Sequence, residues 1–323
     1  MPATDLPLVS VVLPVWNGQA FVGEAIASIL AQRYPRLELL VADDGSTDAT
    51  ADIVAGWARG DARVRLLRLA HRGQSAAINT AVAEARGDLI ARMDHDDIAH
   101  PDRLAAQVSW LRRWNLDVCG AWARRFGTRT GVLRPAVGHE AIAYDLMFTC
   151  PILDPAALIR TEVLRRHPYS ETALLIDHAL WNTLAADHRL GNAPRLLLRY
   201  RMHPAQFTAT GKAPVAAYQR MLRLQRFRTL HPAAGEADVA LFHRIVMARS
   251  APLDADGLVA AGTFFLRYLT PPDPEARRRM RHRWRQLFEH GVRRGQRRRG
   301  VYREVAEALV PWSGPQGQLG AAR

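Results

Sequence analysis

Through the first half of the chain, short apolar runs alternate with amphipathic stretches, and most runs stop at a turn-forming or acidic cluster. Val9-Ser10-Val11-Val12-Leu13-Pro14-Val15 is rich in β-branched residues and ends at Trp16-Asn17-Gly18, which predicts a strand. Phe21, Val22, Ala25, Ile26, Ile29 and Leu30 then recur at helical spacing. A second strand is predicted over 37–42, with Ser46, Thr47 and Asp48 as N-cap candidates for a helix reaching about Trp57. Residues 64–69 alternate as a strand does, and a helix is expected from Gln74 to Arg86 with Gly87 as its C′ residue. Another strand follows over 88–93, and then a helix in which Pro101 suits the first turn and Leu104, Val108 and Leu111 share a stripe. Further strands are expected over 117–126, 156–160 and 196–202, with a helix after Asp177 that contains Leu180, Trp181 and Leu184.

This alternation predicts an α/β, Rossmann-like, mostly parallel sheet covered by helices. Beyond Lys212 the strand signals stop, and helices are expected near 215–230, 236–249, 254–268 and 274–290. The expected organisation is a catalytic domain over 1–211, a basic helical extension over 212–310, and a disordered tail over 311–323 that is rich in Gly, Pro, Gln and Ala.

Composition changes this picture little: 48% apolar and 23% charged residues suit a globular protein. Charge changes it more. The net charge is +13, and Lys212 is the single lysine, so the excess is arginine. The densest basic tract, Arg277 to Arg299, lies far in sequence from the acidic clusters. It reads as a solvated or partner-facing surface, with contact to anionic lipid or another polyanion as the alternative; specific nucleic-acid recognition is not expected. Cys119 and Cys150 form no metal-type spacing and are expected as buried thiols in a reducing compartment. The first residues carry no basic leader, and the apolar run 8–16 is too short to span a bilayer. A cytoplasmic location is expected, with peripheral contact on the cytoplasmic membrane face, and oligomerisation, left open.

The candidate chemistry sits at two strand ends. Asp43-Asp44-Gly45-Ser46 closes the second strand, and Asp94-His95-Asp96-Asp97 closes the one at 88–93. Ligands of open parallel sheets bind outside the carboxyl ends of strands. Crowded carboxylates repel unless a cation lies between them, and hard divalent cations take oxygen ligands. The pattern predicts a metal-assisted site for a phosphate-bearing substrate.

Four ordered segments, 11–17 (VVLPVWN), 43–48 (DDGSTD), 73–79 (GQSAAIN) and 92–97 (RMDHDD), followed by the late Asp177 and His203, carry a resemblance. Over about residues 8–208 the chain resembles inverting family 2 glycosyltransferases, nucleotide-sugar-dependent enzymes with the A-type glycosyltransferase fold. The resemblance implies that Pro14, Val15 and Trp16 line a base pocket and that Asp44 accepts the imide N–H of a uracil-type base. Asn79 is implied beside the nucleotide, and Asp94 at the ribose or sugar hydroxyls. Asp96 is implied as the direct ligand of Mn²⁺ or Mg²⁺, Asp97 as a loop support, and His203 near the metal or diphosphate. Asp177 is implied as the general base, with Glu171 in reserve, and Asp154 at the acceptor pocket. Two positions depart from the family pattern. Ile78 stands where many relatives carry Arg, which leaves Arg72 or Arg92 as the substitute clamp on the diphosphate. Ile176 stands where relatives often have Glu.

The implied reaction moves a sugar from a nucleoside diphosphate, UDP-type favoured, to a hydroxyl of a glycan, a lipid-linked saccharide or a surface-polymer precursor. Two alternatives stay open: a nucleotidyltransferase, and a catalytically inactive relative that only binds nucleotide or polymer. The turn Trp16-Asn17-Gly18-Gln19 lacks the basic, glycine-rich loop the first would need, and the three aspartates 94, 96 and 177 argue against the second.

Overall fold

The structure, a computed structural model, describes residues 6–204, 213–247, 253 and 255–292. The tail expected over 311–323 lies outside the described residues. Two compact units make up the chain, Met1–Leu222 and Arg223–Arg323.

In the first unit, strands β1 (Val9–Val15), β2 (Leu37–Asp43), β3 (Val64–Arg68) and β4 (Leu89–Arg92) alternate with helices α1 (Val22–Leu30), α2 (Thr50–Gly60) and α3 (Gln74–Glu84). They pair in parallel in the order β3-β2-β1-β4. All seven residues of β1 and all seven of β2 are buried, which is why these strands read as continuous apolar runs and not as alternation. Two polar residues interrupt them and satisfy each other: Ser10 Oγ donates to Glu38 Oε1 at 2.6 Å.

Gly87 acts differently from the expected C′ residue. Helix α3 ends at Glu84, and Ala85 is already extended (φ −69°, ψ 139°). Gly87 instead donates its N–H to Ser10 Oγ at 2.8 Å. A Cβ at this position would come within 2.7 Å of Leu8 O and Ser10 N, so close approach of two backbones demands the glycine.

The second half of the sheet is mixed. After β5 (Ile98–Ala99) and α4 (Arg103–Arg113) come β6 (Val118–Gly127), β7 (Gly131–Leu133), α5 (His139–Asp145), β8 (Leu158–Arg160), α6 (Thr161–Arg166), α7 (Ile176–Asp187) and β9 (Leu190–Met202). The sheet continues from β4 through β8, β6 and β9 to β5, with β7 on β6. β8 runs antiparallel to both β4 and β6, and β6 pairs with β9 in parallel. The segment 154–156, partly expected as strand, is a 3₁₀ turn with Pro155 inside it.

Helix α8 (Ala213–Leu230) runs across the sequence boundary between the units. The second unit has α9 (Glu236–Met247), α10 (Ala255–Tyr268) and α11 (Pro274–Val292), close to the expected helices. Its core is aromatic: Phe227 stacks on Phe242 at 4.6 Å, and Phe264 and Tyr268 close around them.

Candidate active site

β1 lies between β2 and β4, so the acidic clusters at the ends of those two strands flank the turn that leaves β1. That turn is tied to the β2 cluster. Asn17 sits at φ 49°, donates its N–H to Ser46 Oγ at 2.9 Å, and accepts from Thr47 N at 2.9 Å. Asn tolerates this left-handed conformation better than most residues. Gly45 also has positive φ, 72°, and a Cβ there would lie 3.0 Å from His71 N.

Asp44 organises the loop before α3. Its Oδ1 accepts from Arg72 N and its Oδ2 from Gly73 N, both at 2.9 Å, while its own N–H donates to Val15 O at 2.8 Å. The loop thereby sets His71 against Trp16, with ring centroids 4.7 Å apart and planes 22° from parallel. Trp16 is 51% exposed, so it is no core residue but an open aromatic face. Pro14 and Val15 are buried in β1, and Val15 belongs to the hydrophobic core. Of the three residues expected at a base pocket, Trp16 alone offers an exposed side chain.

Asn79 has a different engagement from the one expected. Its Nδ2 donates to Tyr169 O at 2.8 Å and its Oδ1 accepts from Tyr169 N at 3.0 Å, so its amide is committed to holding the backbone of Tyr169. Ile78 is fully buried.

The second cluster is built around a buried cation. Arg92 has no exposed surface; its Nη1 donates to Val12 O at 2.8 Å, its Nε to Asp154 Oδ2 at 3.1 Å and its Nη2 to Asp94 Oδ1 at 3.2 Å. Tyr169 donates its hydroxyl to the other oxygen of Asp154. Burial alone would lower the pKa of Arg92, but Asp154, Tyr169 and Asp94 raise it overall, so it stays charged. Arg92 is therefore an internal tether for Asp94 and is not placed as a diphosphate clamp. Arg72 is exposed and pairs with Glu171 at 2.9 Å.

Asp94, Asp96 and Asp97 each present an oxygen such that these atoms lie within 4.8 Å of one another. Burial pushes Asp94 up to about 7 against the pull of Arg92, with the Asp96 charge adding to the rise. Burial, followed by the charges of Asp94 and Asp96, also raises Asp97 well above the carboxylate range. Asp97 Oδ1 accepts from Arg201 N at 2.8 Å, which supports the loop, but its buried Oδ2 has no hydrogen-bond partner among the described residues. An orphaned buried oxygen beside two more carboxylates is a donor set that fits a hard divalent cation, whose charge would reverse the upward shifts.

β9 delivers the last member of this group. His203 Nε2 lies 2.9 Å from Asp96 Oδ2. Arg201, two residues earlier, latches the same loop: its Nε donates to Asp96 O at 2.7 Å, and its guanidinium lies over Phe21 and Phe126 at 4.6 and 4.5 Å.

Asp177 opens α7. Its Oδ1 accepts from His178 N at 2.7 Å, and Cys150 Sγ donates to its Oδ2 at 3.4 Å. Burial, with the nearby charge of Asp154, pushes Asp177 up to about 6. The two cysteines are free, but Cys150 is only partly buried, unlike Cys119. The thiol at Asp177, the Asp154–Tyr169 pair and the Arg201 latch are absent from the sequence reading as site features. One signal for the Asp154–Tyr169 network was available: a lone arginine inside Leu89-Ile90-Ala91-Arg92-Met93 must find a counter-charge if the strand is buried.

Residues 10–165 match the family described as glycosyl transferase family 2. An uncharacterized glycosyltransferase of Haemophilus influenzae is 29% identical over 224 residues, covering 62% of this chain and 68% of that protein. Among solved structures, S. aureus TarS 1–349 in complex with UDP-GlcNAc superposes with a TM-score of 0.58 at 16% identity, over 93% of this chain and 91% of that one. The mannosyltransferase PcManGT from Pyrobaculum calidifontis, in complex with GDP-Man and Mn²⁺, gives 0.53 at 20% identity, over 90% and 86%. The fold is the A-type glycosyltransferase fold. The family 2 match spans β1 to α6 and contains both acidic clusters; Asp177 and His203 lie beyond it.

Proposed function

We propose that this chain is a metal-dependent inverting glycosyltransferase that moves a sugar from a nucleoside diphosphate, UDP-type favoured, to an acceptor hydroxyl. The observation that carries this reading is the convergence of Asp94, Asp96 and Asp97 at the end of β4, with His203 set on Asp96. Trp16 offers a stacking face for the base at the neighbouring strand end, and Asp44, whose Oδ2 already meets Gly73 N and His71 Nδ1, keeps a lone pair on Oδ1 for its imide N–H. Asp96 and His203 would hold Mn²⁺ or Mg²⁺, with Asp97 Oδ2 close by and Asp94 reaching the ribose or sugar hydroxyls. The cation supplies charge neutralisation for the diphosphate as it departs. Asp177 takes the proton from the acceptor hydroxyl while that oxygen bonds to the anomeric carbon from the face opposite the breaking bond to phosphate. The acceptor is a glycan, a lipid-linked saccharide or a surface-polymer precursor.

The test is nucleotide release over a panel of UDP-, GDP- and dTDP-sugars with Mn²⁺ or Mg²⁺. Release from one donor is expected, abolished by chelation and by Asp96→Asn. Absence of both turnover and calorimetric binding for every donor would overturn the reading.

A pH profile tests the base separately. Asp177 accepts a proton only when ionised, so kcat/KM is expected to rise with pH through a midpoint near 6. The Cys150 thiol stabilises the ionised form by hydrogen bonding. Cys150→Ala therefore moves that midpoint upward, and an unmoved limb would assign the acid limb to another group.

A further inference from the structure

Charge is divided unevenly between the units. Residues 223–323 contain 19 arginines against nine acidic residues, a net of +10, whereas residues 1–222 contain 25 basic and 22 acidic residues, a net of +3. The excess concentrates in α11 and in the sequence after it, where Arg293, Arg294, Arg297, Arg298 and Arg299 follow.

Helix α11 separates its residue types by face. Ala276, Met280 and Trp284 recur every four residues and are fully buried, and Trp284 packs on Phe265 at 5.2 Å. On the opposite side Arg278, Arg281, His282 and Arg285 are exposed. Their spacing of i, i+3, i+4 and i+7 places them in one lane, roughly 10 Å long at the rise of an α-helix. Arg277 does not join this lane, because it turns back to Pro271 O and Pro272 O. Arg278 and Arg281 form no ion pair among the described residues.

We propose that this lane is a docking surface for anionic phospholipid headgroups. Guanidinium groups match phosphate oxygens in charge and in fork geometry. The apolar face of α11 is occupied by its own unit, so the helix does not insert into a bilayer as an amphipathic anchor would. It presents the guanidinium groups of Arg278, Arg281 and Arg285 instead, which suit a negatively charged plane. The lane has no Trp, Tyr or Phe, and its one ring, His282, sits against Gln286 Nε2 at 2.9 Å, which favours lipid over single-stranded nucleic acid. This inference is independent of the transferase reading, because vesicle binding is measured without donor or metal.

The experiment is co-sedimentation of the full chain with phosphatidylserine–phosphatidylcholine vesicles and with phosphatidylcholine vesicles, at low and high salt. Binding is expected to the anionic vesicles only, and to weaken with salt. Arg278→Glu/Arg281→Glu is expected to lower partitioning by at least about tenfold, and the milder Arg278→Gln/Arg281→Gln by less. Arg59→Glu/Arg86→Glu changes the net charge equally at two exposed positions of the first unit and is expected to keep binding. Equal losses in both glutamate pairs, or no loss in either, would overturn the assignment of the lane. Retention on duplex DNA that depends on Arg278 and Arg281, with no vesicle binding, would overturn the lipid in favour of nucleic acid.

Discussion

Asp177→Asn is expected to slow sugar transfer by about 10²- to 10⁴-fold, the range for removal of a general base, while donor affinity is unchanged. Asn preserves the size of the side chain and one acceptor oxygen for His178 N, so the start of α7 has little reason to move. What it loses is the ability to take a proton. The raised pKa of Asp177 gives the argument its force: a carboxyl near 6 is a better proton acceptor than an ordinary one and is still mostly ionised at neutral pH. Single-turnover transfer alongside calorimetric donor binding separates the two quantities. Full activity in the variant would remove Asp177 from the chemistry and direct attention to Glu171, which is exposed and paired with Arg72.

The second large effect is on stability. Arg92→Met leaves Asp154 and Asp94 without their shared cation and takes a donor from Val12 O. Removing one partner of a buried ion pair costs about 3–5 kcal/mol, because the other charge stays buried and unpaired. For a unit of this size that corresponds to a drop in Tm of very roughly 6–20 °C. Chemical denaturation and calorimetry measure it directly. Combining Arg92→Met with Asp154→Asn is expected to cost less than the two changes added, since the second removes the charge that the first strands. A loss under about 1 kcal/mol for Arg92→Met alone would mean that the network is not held by charge.

Local pattern determined much of this molecule. Strands β1 to β4, the helices between them, and the positions of both acidic clusters at strand ends follow from periodicity, composition and turn residues within windows of a few residues. The helices of the second unit follow in the same way. His203 and Asp177 are singled out as site candidates only through family resemblance, since a histidine in a loop and an aspartate at a helix start have no local mark of chemistry. Tertiary structure decided the rest, and in each case the partner is distant in the chain. β8 runs antiparallel because its direction depends on β4 and β6, not on its own three residues. Gly87 is needed for the backbone of Leu8 and Ser10, about 80 residues away, and not for ending a helix. Asn79 was expected at the nucleotide, but its amide, 90 residues from Tyr169, is spent there; Arg92 reaches Asp154 across 62 residues, and His203 reaches Asp96 across 107. A side chain's type states which bonds it can form, but which bond it forms depends on what the folded chain places beside it. Buried polar groups make that choice binding, because each must find a partner or destabilise the fold.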